Sequence, residues 1–132
     1  MVSDAELIAL ATEARDNAYA PYSKFKVGAA LVASSGKVYV GCNVENASYP
    51  LTVCAERTAI GTAVAAGETE IVRIAVIADS DPPASPCGGC RQVIFEFGPD
   101  AVVVIASTAG HVHTTDIRTL LPDGFDGAAL RR

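Results

Sequence analysis

Two apolar runs most constrain what this chain can fold into. Ile71–Ala78 reads IVRIAVIA and Ala101–Ser107 reads AVVVIAS. Short, almost continuous, β-branched runs of this kind are the pattern of strands buried on both faces. Strands of that type need cover above and below, which helices supply. A helix is expected between them, starting near Gly88 or Gly89 and ending at Gly98-Pro99. Upstream, Lys26–Ala33 and Lys37–Cys42 flank Ser34-Ser35-Gly36 and read as a hairpin. The polar loop Asn43–Leu51 follows. Ser3 and Glu6 form a capping-box pattern for a first helix, with Leu7, Ala11, Ala14 and Ala18 on one face and Pro21 as its end. Thr52 is placed to cap a second helix from about Val53 to Ala66, closed by Gly67. His111–Thr115 reads as an edge strand, and Asp116 as the cap of Ile117–Leu121. This order predicts an α/β fold, a three-layer α-β-α sandwich around a mixed, mostly parallel sheet. No repeat or linker interrupts it, so residues 1–132 are expected to form a single domain.

Composition narrows the function. Hydrophobic residues are 50% and charged residues 19%, which excludes a disordered chain. The apolar content is small in size: 23 Ala against 4 Phe, 4 Tyr, 1 Met and no Trp. A core of that kind carries little apolar area per residue, so self-association is a reasonable supplement. No run approaches the roughly 18–20 apolar residues of a membrane span. Net charge is −5 and the isoelectric point about 4.8, which argues against a nucleic-acid partner and for a small molecule. Arg131 and Arg132 make only a short basic end. Acids stand in the first sixteen residues where a signal peptide carries bases, so a cytoplasmic location is expected. There, Cys42, Cys54, Cys87 and Cys90 read as metal-binding or catalytic rather than as disulfides.

Three of these cysteines form a pattern. Pro86-Cys87-Gly88-Gly89-Cys90 is P-C-x-x-C, and Cys54-Ala55-Glu56 is C-x-E. Both sites fall near expected helix N-termini, where the helix dipole favours thiolate. A closed structural zinc site has four protein ligands; three leave a position for water. Zinc lowers the pKa of such a water, and a carboxylate beside it, here Glu56, is placed to move the proton. Cys42, His111 and His113 are the alternatives for a fourth ligand in a purely structural site. They read more simply as a small residue at a strand end and as edge-strand histidines. A redox C-x-x-C is a further alternative, but it would need neither Cys54 nor Glu56.

The motifs C-A-E-R-T-A at Cys54–Ala59 and P-C-G-G-C-R-Q at Pro86–Gln92 resemble the cytidine deaminases, in their short-chain, three-cysteine branch. The likeness runs from Tyr19-Ala20-Pro21-Tyr22-Ser23 to Leu120-Leu121-Pro122, most of the chain. It implies one zinc ion per subunit on Cys54, Cys87 and Cys90, with Glu56 as the proton shuttle. It implies that Arg57 hydrogen-bonds the cysteines and offsets the excess charge of three thiolates. Asn43 and Glu45 would bind the ribose hydroxyls, Phe25 would pack on the pyrimidine, and the Ala55 main chain would meet the ring's amide edge. Phe125 would reach a neighbouring subunit's site within a homotetramer. The implied reaction is hydrolytic deamination of cytidine and deoxycytidine in pyrimidine salvage. Blasticidin-type and polynucleotide deaminases share the zinc core. The N-x-E and aromatic positions favour a nucleoside over the antibiotic, and the acidity disfavours a polynucleotide.

Overall fold

The computed structural model describes residues 1–130; Arg131 and Arg132 lie outside the described residues. The elements in chain order are α1 (Asp4–Arg15), β1 (Val27–Ala33), β2 (Val38–Cys42), α2 (Ala55–Ala65), β3 (Ile71–Ala78), α3 (Gly88–Phe97), β4 (Val102–Ser107), β5 (Val112–Asp116), α4 (Ile117–Leu120) and α5 (Gly127–Leu130). The strands form one sheet in the order β2-β1-β3-β4-β5.

Alternation along the central strands builds two cores. Ala29, Leu31, Ile74, Val76, Val103 and Ile105 face α2 and α3. Ala30, Val32, Ala75, Ile77, Val104 and Ala106 face α1, with its Leu7 and Ala11. Successive strand side chains point to opposite faces, so apolar runs without polar breaks feed both layers at once. The three-layer architecture is therefore as expected.

The sheet is mixed, but it is not mostly parallel. Only β3 and β4 pair in parallel; β1–β2, β1–β3 and β4–β5 are antiparallel. The reason lies in one connection. The β2–α2–β3 crossover does bring β3 back in the direction of β2. It then places β3 against β1 rather than against β2, so both neighbours of β1 run opposite to it.

Two helix boundaries also differ from expectation. α1 stops at Arg15, because the Asp16 amide turns back to the Glu13 carbonyl and Tyr19 bonds to the Asn43 backbone instead of continuing the helix. α2 starts at Ala55 with Cys54 as its N-cap, because Val53 is held in an antiparallel bridge to Val44. The Ser3–Glu6 capping box and the Asp116 cap of α4 form as expected.

Candidate active site

Cys54 and Cys87 occupy equivalent local positions. Each is the N-cap of its helix in extended backbone, with φ −70° and ψ 154° at Cys54 and φ −65° and ψ 167° at Cys87. The Cys87 sulfur accepts the Cys90 amide at 3.4 Å. The start of α3 thus directs an amide at the Cys87 sulfur, whereas Cys54 stands at the positive end of α2 without a capping hydrogen bond. The three sulfurs of Cys54, Cys87 and Cys90 lie within 4.8 Å of one another. Tetrahedral zinc ligands at about 2.3 Å stand about 3.8 Å apart, so the donor set suits zinc in both chemistry and spacing.

Among the described residues, neither Cys42, His111 nor His113 joins this group. The His111 ring instead meets Asp81 at 2.8 Å on the surface. Glu56 is also outside the group, yet it lines the same cavity as Cys54 and Cys87. It is 5% exposed, and burial raises its pKa above the ordinary carboxyl value. The Cys54 thiol is held down to about 5, first by hydrogen bonding from Cys90 and then by Arg57. Cys90 is pushed strongly upward as the group that keeps its proton beside Cys54 and Glu56. Left to themselves, the sulfurs thus already carry thiolate character at Cys54.

The cavity measures about 250 Å³. The backbone brings its distant parts together. Val44 and Val53 exchange two amide–carbonyl bonds of 2.9 Å, which closes the loop between them. Asn43 and Glu45 are thereby carried to the residues that start α2, and Phe25, Asn43, Glu45, Ala55 and Glu56 all line one cavity. Asn43 and Glu45 are only 7% and 4% exposed.

A family model described as "Cytidine and deoxycytidylate deaminase zinc-binding region" matches residues 1–106. The chain belongs to this deaminase family. A cytidine deaminase from Sporosarcina psychrophila is 49% identical over 121 residues, covering 91% of this chain and 89% of the relative. The crystal structure of a cytidine deaminase from Burkholderia pseudomallei superposes with a TM-score of 0.91 at 52% identity, covering 94% of this chain and all of that one (100%). A blasticidin-S deaminase from Bacillus cereus is more distant, 35% identical over 127 residues, covering 90% and 89% of the two chains.

In this deaminase, Arg57 Nη2 donates to the Cys54 sulfur at 3.5 Å. Of the expected substrate contacts, Phe25, Asn43, Glu45 and Ala55 line this cavity and Phe125 does not; Cys90 and Arg57 lie behind the lining, against Cys54. Phe125 is 56% exposed, and its carbonyl accepts from Gln92 Nε2 at 2.9 Å.

Two features of the deaminase site, Ser23 and Arg91, escaped the sequence. Ser23 lines the cavity and hydrogen-bonds Glu45; a lone serine in a turn carries no pattern that would mark it. Tyr49, which the sequence left unsettled as a border of the pocket, lines the cavity. Arg91, directly after Cys90, spans Pro86 O (2.8 Å), Ser85 Oγ (2.8 Å) and Leu120 O (2.9 Å), tying the cysteine loop to α4. Its place in P-C-G-G-C-R-Q was the only available signal.

Proposed function

We propose that this chain hydrolyses cytidine and deoxycytidine to uridine and deoxyuridine, with release of ammonia. One observation carries the reading. The buried Glu56 carboxyl shares a single cavity with Cys54 and Cys87 of the three-sulfur cluster and with two buried polar residues, Asn43 and Glu45. Family membership and relatives near half identity support the same activity.

Zinc held by Cys54, Cys87 and Cys90 would supply a water ionised near neutral pH. Glu56 carries a proton to ring N3 and later to the departing amino group. A carboxyl with a raised pKa is suited to hold a proton and then pass it on. Water adds at C4 and the C4–N bond breaks, so substrate plus water gives uridine plus ammonia. Glu45 has one acceptor position left after its protein hydrogen bonds, and Asn43 keeps one N–H and one lone pair. These are the groups available to ribose hydroxyls. The Phe25 ring offers a flat face to the pyrimidine. The walls Val27, Val76 and Ala78 exclude water around it.

Self-association completes the reading. Phe125 stands away from its own cavity, and Tyr19, Tyr22, Val44, Leu51 and Val53 are exposed. A homotetramer in which Phe125 serves a neighbour's site gives both features a use, and light scattering tests it. A fully active monomer would overturn it. Residues 1–132 then act as one deaminase domain. The free thiols fit the reducing cytoplasm.

Initial rates on cytidine, deoxycytidine, cytosine and blasticidin S test the substrate. The two nucleosides should be turned over fastest. Preference for the antibiotic would replace this reading with the one suggested by the Bacillus cereus relative.

A further inference from the structure

Glu45 and Phe25 are built into one hydrogen-bonded unit. The amides of Tyr22 and Ser23 donate to Glu45 Oε1 at 3.0 and 3.1 Å. The Ser23 hydroxyl donates to Glu45 Oε2 and in turn accepts the Phe25 amide at 3.0 Å. Asn43 holds the other side of Phe25: its Nδ2 donates to the Phe25 carbonyl at 2.8 Å, and its Oδ1 accepts the Val27 amide at 2.8 Å. Between Ser23 and Phe25, Lys24 sits at φ 63°, the only non-glycine residue with positive φ among the described residues. A side chain is tolerated there only where the surroundings fix the backbone on both sides.

We propose that Ser23 is a positioning residue that joins the sugar-recognising carboxylate of Glu45 to the base-facing ring of Phe25, so that sugar and base are recognised as a coupled pair. The inference rests on the nucleoside reading above and adds to it a residue and a thermodynamic property. A hydroxyl that takes the last acceptor position of Glu45 competes for the same oxygen that Ser23 uses. That contact is relayed through Ser23 Oγ to the Phe25 amide. A sugar therefore alters the seat of the base, and a free base loses more than the hydroxyl bonds alone.

The test uses the zinc-loaded enzyme and cytidine. The Glu45→Gln and Phe25→Leu variants, alone and together, form a double-mutant cycle on kcat/KM. The expected result is non-additivity of about fivefold or more, since directly networked residues couple. Additive effects would overturn the proposal, and this cycle needs no Ser23 variant to fold. Ser23→Ala should raise KM about tenfold, as expected for a charge-assisted hydrogen bond, with kcat within about threefold. Ser23→Thr, which keeps the hydroxyl, should recover most of the KM. In the Ser23→Ala background the cycle should become additive. Unchanged KM in Ser23→Ala, or a cycle that stays coupled without Ser23, would remove its role. Wild-type enzyme inactive on cytidine would instead refute the nucleoside reading, before any variant is compared.

Discussion

Arg57 Nη2 lies 3.5 Å from the Cys54 sulfur, one helical turn along α2. Among the described residues that sulfur is the one hydrogen-bond acceptor of the Arg57 side chain, whose Nε is buried without a partner. Three thiolates around a dication carry a net negative charge, which weakens the cation as a Lewis acid. A guanidinium on one sulfur draws that charge back. Arg57→Gln should lower kcat about tenfold, within the range seen for outer-shell partners of metal ligands. Zinc content by atomic absorption should stay at one per chain. An unchanged kcat/KM would show that Arg57 does not tune the site.

Glu56 has a different signature. It lines the cavity without belonging to the sulfur group, so its loss should spare the metal. Glu56→Gln keeps the shape and removes the proton carrier. Its kcat should fall by about 10²–10⁴, the usual contribution of a positioned acid–base group. Zinc content and melting temperature should be little changed. Near-normal turnover would rule out the shuttle.

Two glycines test the packing that supports the site. A Cβ on Gly28 would lie 1.9 Å from the Ala11 carbonyl of α1, and one on Gly41 would lie 2.4 Å from the Ala59 amide of α2. Neither neighbour is a flexible side-chain end. Gly28→Ala and Gly41→Ala should each destabilise by about 2 kcal/mol or more through overpacking. Gly61 in α2 has nothing within 4 Å of such an atom, so Gly61→Ala should stabilise by about 0.5–1 kcal/mol through helix propensity. Denaturant midpoints of the three variants check the opposite signs.

The carboxylate of Glu45 gives a pH prediction. The Ser23 hydroxyl, followed by the Ser23 and Tyr22 amides and nearby Lys24, outweighs burial and holds its pKa below 4.5. A depressed folded value means the ionised group favours the folded state above the unfolded pKa. That contribution fades as pH falls through the lower folded value. KM for cytidine should therefore stay flat as pH falls to about 4.5 and rise only below it. In Ser23→Ala the rise should begin at higher pH. An identical profile in both proteins would separate Glu45 ionisation from Ser23.

What was legible in the sequence was local. Ile71–Ala78 matches β3 end to end because an apolar, β-branched run has few alternatives. Cys87 with Cys90, and Cys54 with Glu56, were legible because short spacings fix which residues share a helix start; that the two pairs meet was implied by the resemblance to the cytidine deaminases. Long-range choices were not. Nothing local to Ile71–Ala78 says that it inserts beside β1, and that one choice replaced a parallel pairing with an antiparallel one, leaving three antiparallel pairs to one parallel. α1 ended early for the same kind of reason, since Tyr19 is claimed by the backbone of Asn43, far along the chain. Asn43 shows the limit most clearly. Sequence suggests a sugar contact, whereas half of its bonding capacity is used to hold the backbone around Phe25.

The close approaches at Gly28 and Gly41 also bear on motion. These residues stand on adjacent strands, in adjacent register, and are pressed by helices from opposite faces of the sheet. The hairpin is therefore clamped from both faces, and tilting it would drive backbone into backbone. The segments 46–52, with the short 3-10 turn Tyr49–Leu51, and 79–86 lie outside the sheet and the long helices and carry Tyr49, Thr52, Ala84 and Ser85 along the cavity. Hydrogen exchange should therefore find slow amides in the clamped hairpin and faster ones in these two cavity-lining segments.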